Sequence, residues 1–384
     1  MDTGSVSVPR VEVVRAELDY GHATAGAEIV AALAAIAPSA GRAFRLPLAT
    51  ERAVVELAGV PTAVANALRR VLTDELRGRC LTFDRDGFDR AGSTDPFMND
   101  DFVRTRIRML PLRPQISDET VRTLRLALDA ANHTDATMLV YGGDLVVTAG
   151  ELAEPLFNPT HVLAFLQPGR TLRITGIRLA EGFGNQDAAF VVGVRAVSRP
   201  LDLEEVPREE THRPGGAAVA QSGFVESSLV ANPRRHEVSV SFLAVPAGSG
   251  AAVALLLDAC AAVMRRLRYV QGVLEAARRR AGAATFRAAD AYFLVSAEDG
   301  RMKGVLGVKG ETDTIGRLLE RSVYELMPDI SYVGYTCVPH EKMMKLTVAH
   351  SADRDEIGAI VARAAKHAYG IFSQIQRGIR ARAA

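Results

Sequence analysis

An α+β fold made of two similar halves in one chain is predicted by three features of the sequence. An apolar strand pattern, Ala53-Val54-Val55-Glu56-Leu57, runs into a helix from Pro61 to Leu76 near the start. Near the end, Val305-Leu306-Gly307-Val308 runs in the same way into a helix from Asp313 to Leu326. Each copy then passes a second strand pattern and a Leu-Pro or Val-Pro step, Leu110-Pro111 and Val338-Pro339, and closes with a strand and a long amphipathic helix. Two such halves predict a built-in dimer, organised for pairing rather than for catalysis.

The first half opens with alternating Val11, Val13 and Val14 over residues 11 to 20, a strand pattern, then a helical stretch from Ala27 to Ile36 and strands again from Ala43. In the first key helix Val64, Leu68, Val71 and Leu72 fall at i, i+4, i+7 and i+8, one apolar stripe, with Arg69, Arg70 and Asp74 off it. Phe97 to Leu112 reads as a helical turn followed by an extended segment. Residues 113 to 221 interrupt the repeat with short strands (Met138 to Tyr141, Leu145 to Thr148, Thr171 to Ile177, Phe190 to Val197) separated by Gly142-Gly143, Pro168-Gly169 and Gly182-Phe183-Gly184-Asn185. This predicts a β-rich inserted domain, left through a Pro- and charge-rich connector from Arg199 to Gly216.

The first half resumes with the strand Glu237 to Phe242 and a long helix carrying Val253, Leu256, Cys260, Val263, Leu267, Val270 and Leu274 at nearly heptad spacing. Arg278 to Arg280 and Gly282 end it, cations at the favourable end of the helix dipole. The second half has strands at Phe293 to Val295 and Val305 to Val308 around the turn Glu298-Asp299-Gly300. A helix follows that buries Ile315, Leu318, Leu319, Val323 and Leu326. After strands at Tyr332 to Tyr335 and Met344 to Val348, the last helix lines up Ile357, Val361, Ala364, Ala368, Ile371, Ile375 and Ile379. The domains expected are therefore 1–112 with 222–282, the insertion 113–221, and 283–384.

With 384 residues there is room for two or three domains and a sizeable core. A formal net charge of +1 excludes a molecule-wide electrostatic binder of DNA or RNA, so any basic face is local. Cys80, Cys260 and Cys337 form neither a CxxC pair nor a disulfide framework and read as reduced thiols in an intracellular setting. Residues 113–221 contain no cysteine, so no thiolate-held zinc or iron–sulfur cluster is expected there, and no cofactor is expected anywhere. Met1 to Pro9 is polar with no apolar segment of secretory type behind it, and no run of about 18 apolar residues occurs, so no membrane association is expected. The Ala-rich stretch from Ala31 to Ala37 reads as part of an ordinary helix.

Particular residues carry a family resemblance. Asn66-Ala67-Leu68-Arg69-Arg70-Val71-Leu72-Thr73-Asp74-Glu75 resembles the signature helix of the α-type assembly subunits of multisubunit RNA polymerases. Asp101-Phe102-Val103, Arg106-Ile107 and Leu110-Pro111-Leu112 are similar to the family's downstream element, with Thr105 where a His is usual and Arg108 where a Gly is usual. Gly169 to Val197 resembles the inserted domain of polymerase subunit three, without its usual Trp. Glu311 to Leu319, Gly334-Tyr335 and Val338-Pro339-His340 resemble the eleventh subunit of eukaryotic RNA polymerase II. The two are normally separate polypeptides, and their fusion resembles the arrangement in large nucleocytoplasmic DNA viruses.

The resemblance implies a noncatalytic assembly subunit, equivalent to the bacterial α dimer, on which the largest and second-largest polymerase subunits and small subunits assemble. DNA is then met only through the complex. If viral, such a chain works in the host cytoplasm or virus factory and is packaged in the virion. The subunit-interface residues it implies are Asn66, Leu68, Arg69, Arg70, Leu110, Pro111, Leu256, Leu267, Ile315, Leu318, Leu319 and Ile371. Of these, Arg69-Arg70 is the polar docking pair, since guanidinium groups pair bidentately with carboxylates.

Two other classes compete. Asp84, Asp86 and Asp89 form the only carboxylate cluster that invites a magnesium ion and nucleotidyl transfer, though Arg85 and Arg90 neutralise it and Asp86-Gly87 reads as a turn. The arginine groups at 265–268, 278–280 and 377–382 would serve a freestanding nucleic-acid-binding regulator, but interleaved aromatic residues are sparse and solvated helix faces or protein contacts account for them. Gly182-Phe183-Gly184 lacks the helix a phosphate loop needs. His340 and His350 are single histidines, and no Ser-His-Asp set is visible.

Overall fold

The computed structural model describes residues 12–21, 50–113, 116–152, 156–157, 159, 161–201, 234–243, 250–279, 285–298, 301–338, 340–351 and 354–383. The expected helix from Ala27, the strand from Ala43, most of the connector to Gly216, the tip of the turn at Asp299-Gly300, and Arg280, Gly282 and Pro339 lie outside them. Both helices and sheets build the chain, as the α+β reading requires.

Strand β1 (Glu12–Gly21) pairs antiparallel with β2 (Thr50–Ala58). The first key helix, α1 (Thr62–Arg70), continues as a π-helical turn, Val71–Glu75. The sequence pattern predicts a regular helix to Leu76. Instead the Thr73 hydroxyl donates back to the carbonyl of Arg69 at 3.2 Å, and the Leu76 amide bonds the Val71 carbonyl. Strand β3 (Arg77–Thr82) follows, then α2 (Asp100–Arg108), whose Asn99 side chain accepts the Phe102 amide at 2.8 Å as an N-cap, and the short α3 (Asp118–Thr123).

Strands β4 (Arg125–Ala131), β5 (Met138–Tyr141), β6 (Leu145–Ala149), β7 (Val162–Leu166) and β8 (Thr171–Phe183) come next, followed by β9 (Val194–Pro200) and β10 (Arg235–Leu243). Helix α4 (Ala251–Arg279) leads to β11 (Thr285–Arg287), β12 (Ala291–Glu298) and β13 (Arg301–Lys309). Helix α5 (Asp313–Leu326), β14 (Tyr332–Val338), β15 (Met343–His350) and α6 (Arg354–Ala383) complete the chain.

Among the described residues four sheets form, in the orders β1-β2-β10-β9, β11-β12-β13-β15-β14, β3-β8-β4-β6 and β5-β7. The pairing crosses the boundaries drawn from the sequence: β9 is an edge of the first sheet, whereas β3 pairs with β8 in the third. Backbone pairing between segments 36 to 48 residues apart (β9 with β10) or 96 to 106 apart (β3 with β8) leaves no local signature, which is why the pattern alone puts the break at residue 113.

Period-two alternation puts Ala53, Val55 and Leu57 of β2, with Val238 and Val240 of β10, on the buried side of the first sheet. Helices α4 and α6 lie along each other, and α1 lies against α5. One continuous apolar core contains Val55, Leu68, Leu267, Ile315, Leu346 and Ile371, thus both copies of the repeated unit. A separate core gathers Leu81, Ile107, Leu110, Leu126, Leu163 and Ile177.

Two glycines mark close approaches within the first core. A Cβ at Gly316 in α5 would lie 2.5 Å from the Tyr335 ring, and one at Gly378 in α6 would lie 2.5 Å from the Val13 methyl of β1. Among the described residues no helix is long and apolar enough to cross a membrane.

Candidate functional site

Seven of the sequence-implied interface residues meet in the first core: Leu68, Leu256, Leu267, Ile315, Leu318, Leu319 and Ile371, none more than 2% exposed. They come from α1, α4, α5 and α6. Leu110 does not join them; it is buried in the second core, and Pro111 beside it is half-buried. The Arg69 Nε donates to the Asn66 Oδ1 at 3.0 Å, a pair three residues apart on half-buried helix positions.

Arg70 has a different neighbour. Its Nη2 lies 3.5 Å from the carboxylate of Asp313, the first residue of α5. Asp313 also faces Cys337, whose thiol is pushed up to about 12 by burial and by that carboxylate. The docking pair of the sequence reading is therefore split: Arg70 is engaged across the α1–α5 contact, whereas Arg69 bonds along its own helix.

Sequence reasoning missed the polar centre of this contact. Glu75, at the end of the π turn, is joined by Arg266 from the middle of α4, and Arg266 also donates from Nε to Glu311 at 2.8 Å. Thr312, the N-cap of α5, donates its hydroxyl to Glu75 at 2.7 Å and accepts from Arg266 Nη2 at 3.0 Å. The Thr314 hydroxyl donates to the same Glu75 oxygen. The side chains of Glu75, Glu311 and Arg266 are 6%, 9% and 21% exposed, so these charges are largely withdrawn from water.

Burial would raise the Glu75 carboxyl, but Arg266 and the two threonine hydroxyls outweigh it and hold the group below its ordinary value. Arg266 is desolvated too, yet Glu311 and Glu75 keep it charged. A signal was present: an acid in the last turn opposes the helix dipole, and a lone Arg beside an apolar seam needs a partner.

A second polar node lies at the other end of the α1–α5 contact. Glu325, near the end of α5, pairs with Arg234 at 2.9 Å and with Arg321 at 3.4 Å. The carbonyl of Arg234 in turn accepts the Val60 amide just before α1. His367 of α6, 2% exposed, borders this node. Burial pushes its imidazole below the ordinary 6.5; Glu325 opposes that and Arg234 adds to it.

Folded His367 thus takes up a proton less readily than it does in the unfolded chain. Stability is unaffected well above pH 6.5 and falls as the pH drops below it. His367→Gln is expected to flatten that fall in thermal-unfolding midpoints measured between pH 7 and pH 5, roughly the range a histidine spans. A variant with the wild-type pH profile would contradict this assignment.

The competing chemistries resolve into structure. Asp84 pairs with Arg178 at 3.0 Å, and the Asp89 carboxylate accepts the amides of Ala91 and Gly92, closing a turn. Among the described residues no group of three His, Cys, Asp or Glu side chains is placed to hold a metal. Of the 265–268 arginines, Arg266 serves the buried node and Arg268 stacks 4.9 Å from the Tyr369 ring centroid of α6, so this group is not a free basic face. Gly182 packs against the Phe190 ring. In the downstream element, Arg106 donates from Nη2 to the Val162 carbonyl at 2.7 Å and Arg108 pairs with Asp187, tying α2 into the second core.

No protein-family model matches the chain. It is, however, 32% identical over 339 residues, 87% of its length and 89% of the relative's, to the protein of African swine fever virus isolate Pig/Kenya/KEN-50/1950 named DNA-directed RNA polymerase RPB3-11 homolog. The proteins of the same name from the Badajoz 1971 Vero-adapted strain and from isolate Tick/Malawi/Lil 20-1/1983 give the same identity and coverage. Similarity of this extent marks a subunit of a DNA-directed RNA polymerase. The chain belongs to the family of DNA-directed RNA polymerase RPB3-11 homologues.

Proposed function

We propose that this chain is the assembly platform of its polymerase: a subunit 3-like half and a subunit 11-like half, paired within one polypeptide about a pseudo-twofold axis. The observation that carries the reading is the single apolar core running through both copies of the repeat, with α4 laid on α6 and α1 on α5. In this reading the halves centre on β1, β2, α1, β10 and α4, and on residues 285–383. Residues 77–183, around the second core, are the inserted β-rich lobe. The largest and second-largest subunits dock on the outer faces, small subunits join them, and DNA is met through the complex. Work inside the cell follows, for a virus-encoded polymerase in the host cytoplasm or virus factory, with packaging in the virion.

Docking through Arg69 tests the reading. Losing one partner of a buried interfacial charge pair costs about 2–5 kcal/mol, and reversal adds repulsion. Arg69→Glu in the tagged full chain is expected to leave its melting unchanged and to abolish capture of the second-largest subunit when the polymerase genes are coexpressed. Normal capture would make Arg69 a solvated helix residue. Arg70→Glu is tested apart, because a second acid beside Asp313 disturbs the chain's own contact.

A further inference from the structure

The two polar nodes are built on one plan. Helix α1 and its π turn span nine and five residues, and α5 spans fourteen. The end of each lies at the start of the other: Glu75 meets Thr312 and Thr314, and Glu325 meets Arg234, which is bonded to Val60. Each node therefore has the same three parts. There is a Glu from the end of one short helix, a base from a long helix (Arg266 on α4, His367 on α6), and a charged residue beside the start of the other short helix (Glu311 or Arg234).

The parts are the same, but the charges are not. The first node holds two acids around one arginine, and the second holds one acid with two arginines and a neutral histidine. We infer that the nodes are a pairing code, by which each half accepts the other and rejects a second copy of itself. This rests on the pseudo-dimer reading and adds what makes the pairing selective.

The consequence of mispairing follows from the parts. Two copies of the first half would bring Arg266 against Arg234 with one Glu75 between them, and would replace the Glu311-Thr312-Asp313 approach to α5 by Val60-Pro61-Thr62. Arg266 would lose Glu311, Glu75 its threonine hydroxyls, and Arg70 its Asp313. Two copies of the second half would set Glu311 against Glu325 beside a buried His367, without Arg266. Each mismatch sets like charges, or an unmatched charge, beside a carboxylate no more than 12% exposed, and specificity draws on such repulsion as well as on matched contacts. An oily seam of Leu, Ile, Val and Ala cannot discriminate in this way, because the same residue types line both halves.

The test uses two full-length copies with different tags, one carrying Arg266→Glu and the other Glu311→Arg. In either copy alone the first node is mismatched, with three acids or with two bases around Glu75. Together, the new acid on α4 of one copy matches the new base before α5 of the other, and the remaining pair is native. Coexpression followed by purification on both tags in turn is expected to recover a domain-swapped dimer. Its yield should exceed by about tenfold that from two differently tagged Arg266→Glu copies.

Both changes in one chain are expected to restore a monomer with near-native melting. Complementary copies that recover no more dimer than identical ones, or single variants that remain monomeric with wild-type melting, would overturn the code. So would failure of the double variant to fold, since matched charge would then not be what the node reads. Any of these, with the severed halves of the chain still associating, removes the code and leaves the pseudo-dimer standing.

Discussion

Arg266→Ala is expected to cost about 3–5 kcal/mol of folding stability, the scale for removing one partner of a buried ion pair. Among the described residues the guanidinium is the only base paired with Glu75 and Glu311, and both carboxylates are less than a tenth exposed. Without it two acids face each other at the meeting point of α1, α4 and α5, with only the Thr312 and Thr314 hydroxyls to receive Glu75. Urea unfolding at neutral pH reads the loss directly.

The combined variant Glu75→Gln, Arg266→Met, Glu311→Gln is expected to regain most of it, because no charge is then left unmatched. Acid should also shrink the deficit. Glu75 has its folded value below the ordinary 4.5, so its contribution in the wild type is present above 4.5 and fades as the pH falls through the folded value. In Arg266→Ala that contribution is already gone. A loss under about 1 kcal/mol, typical of exposed pairs, would show the network to be ordinary surface chemistry.

How far the sequence could be read depended on the range of the interaction. The seam was legible: Ile315, Leu318 and Leu319 recur at helical spacing, as do Leu256, Leu267 and Ile371 in the long helices, and all are buried where that spacing points. Helix α5 runs from Asp313 to Leu326, the span its pattern predicted. Periodicity reports which face of an element is covered, not which element covers it. Arg70 and Asp313, or Glu75 and Arg266, lie some two hundred residues apart, and nothing local to either names its partner.

The same limit hid the pairing of β3 with β8 and of β9 with β10, and Leu110 went to the second core although its Leu-Pro step echoed Val338-Pro339. The π turn escaped because Thr73 is an unremarkable residue until its hydroxyl bonds back to the helix. Charges on an otherwise apolar helix are the usable clue, since a base beside a buried seam needs an acid within reach.

Severing the chain tests the central claim, that the seams and not the peptide bond hold the halves together. Large, apolar obligate interfaces bury over ~2,000 Å² in total and survive without a covalent link. The connector raises the effective concentration to about the millimolar range and fixes one-to-one stoichiometry. Each half alone would expose the face of α4 or α6 that the other covers, with Leu256, Leu267, Val270 or Ile371, Phe372 and Ile375 set in water. Segments 1–282 and 283–384, coexpressed with a tag on one, are expected to copurify as a one-to-one heterodimer, and each expressed alone to aggregate or be degraded. Two soluble, monomeric segments that ignore each other would contradict the built-in dimer, and the assembly platform with it.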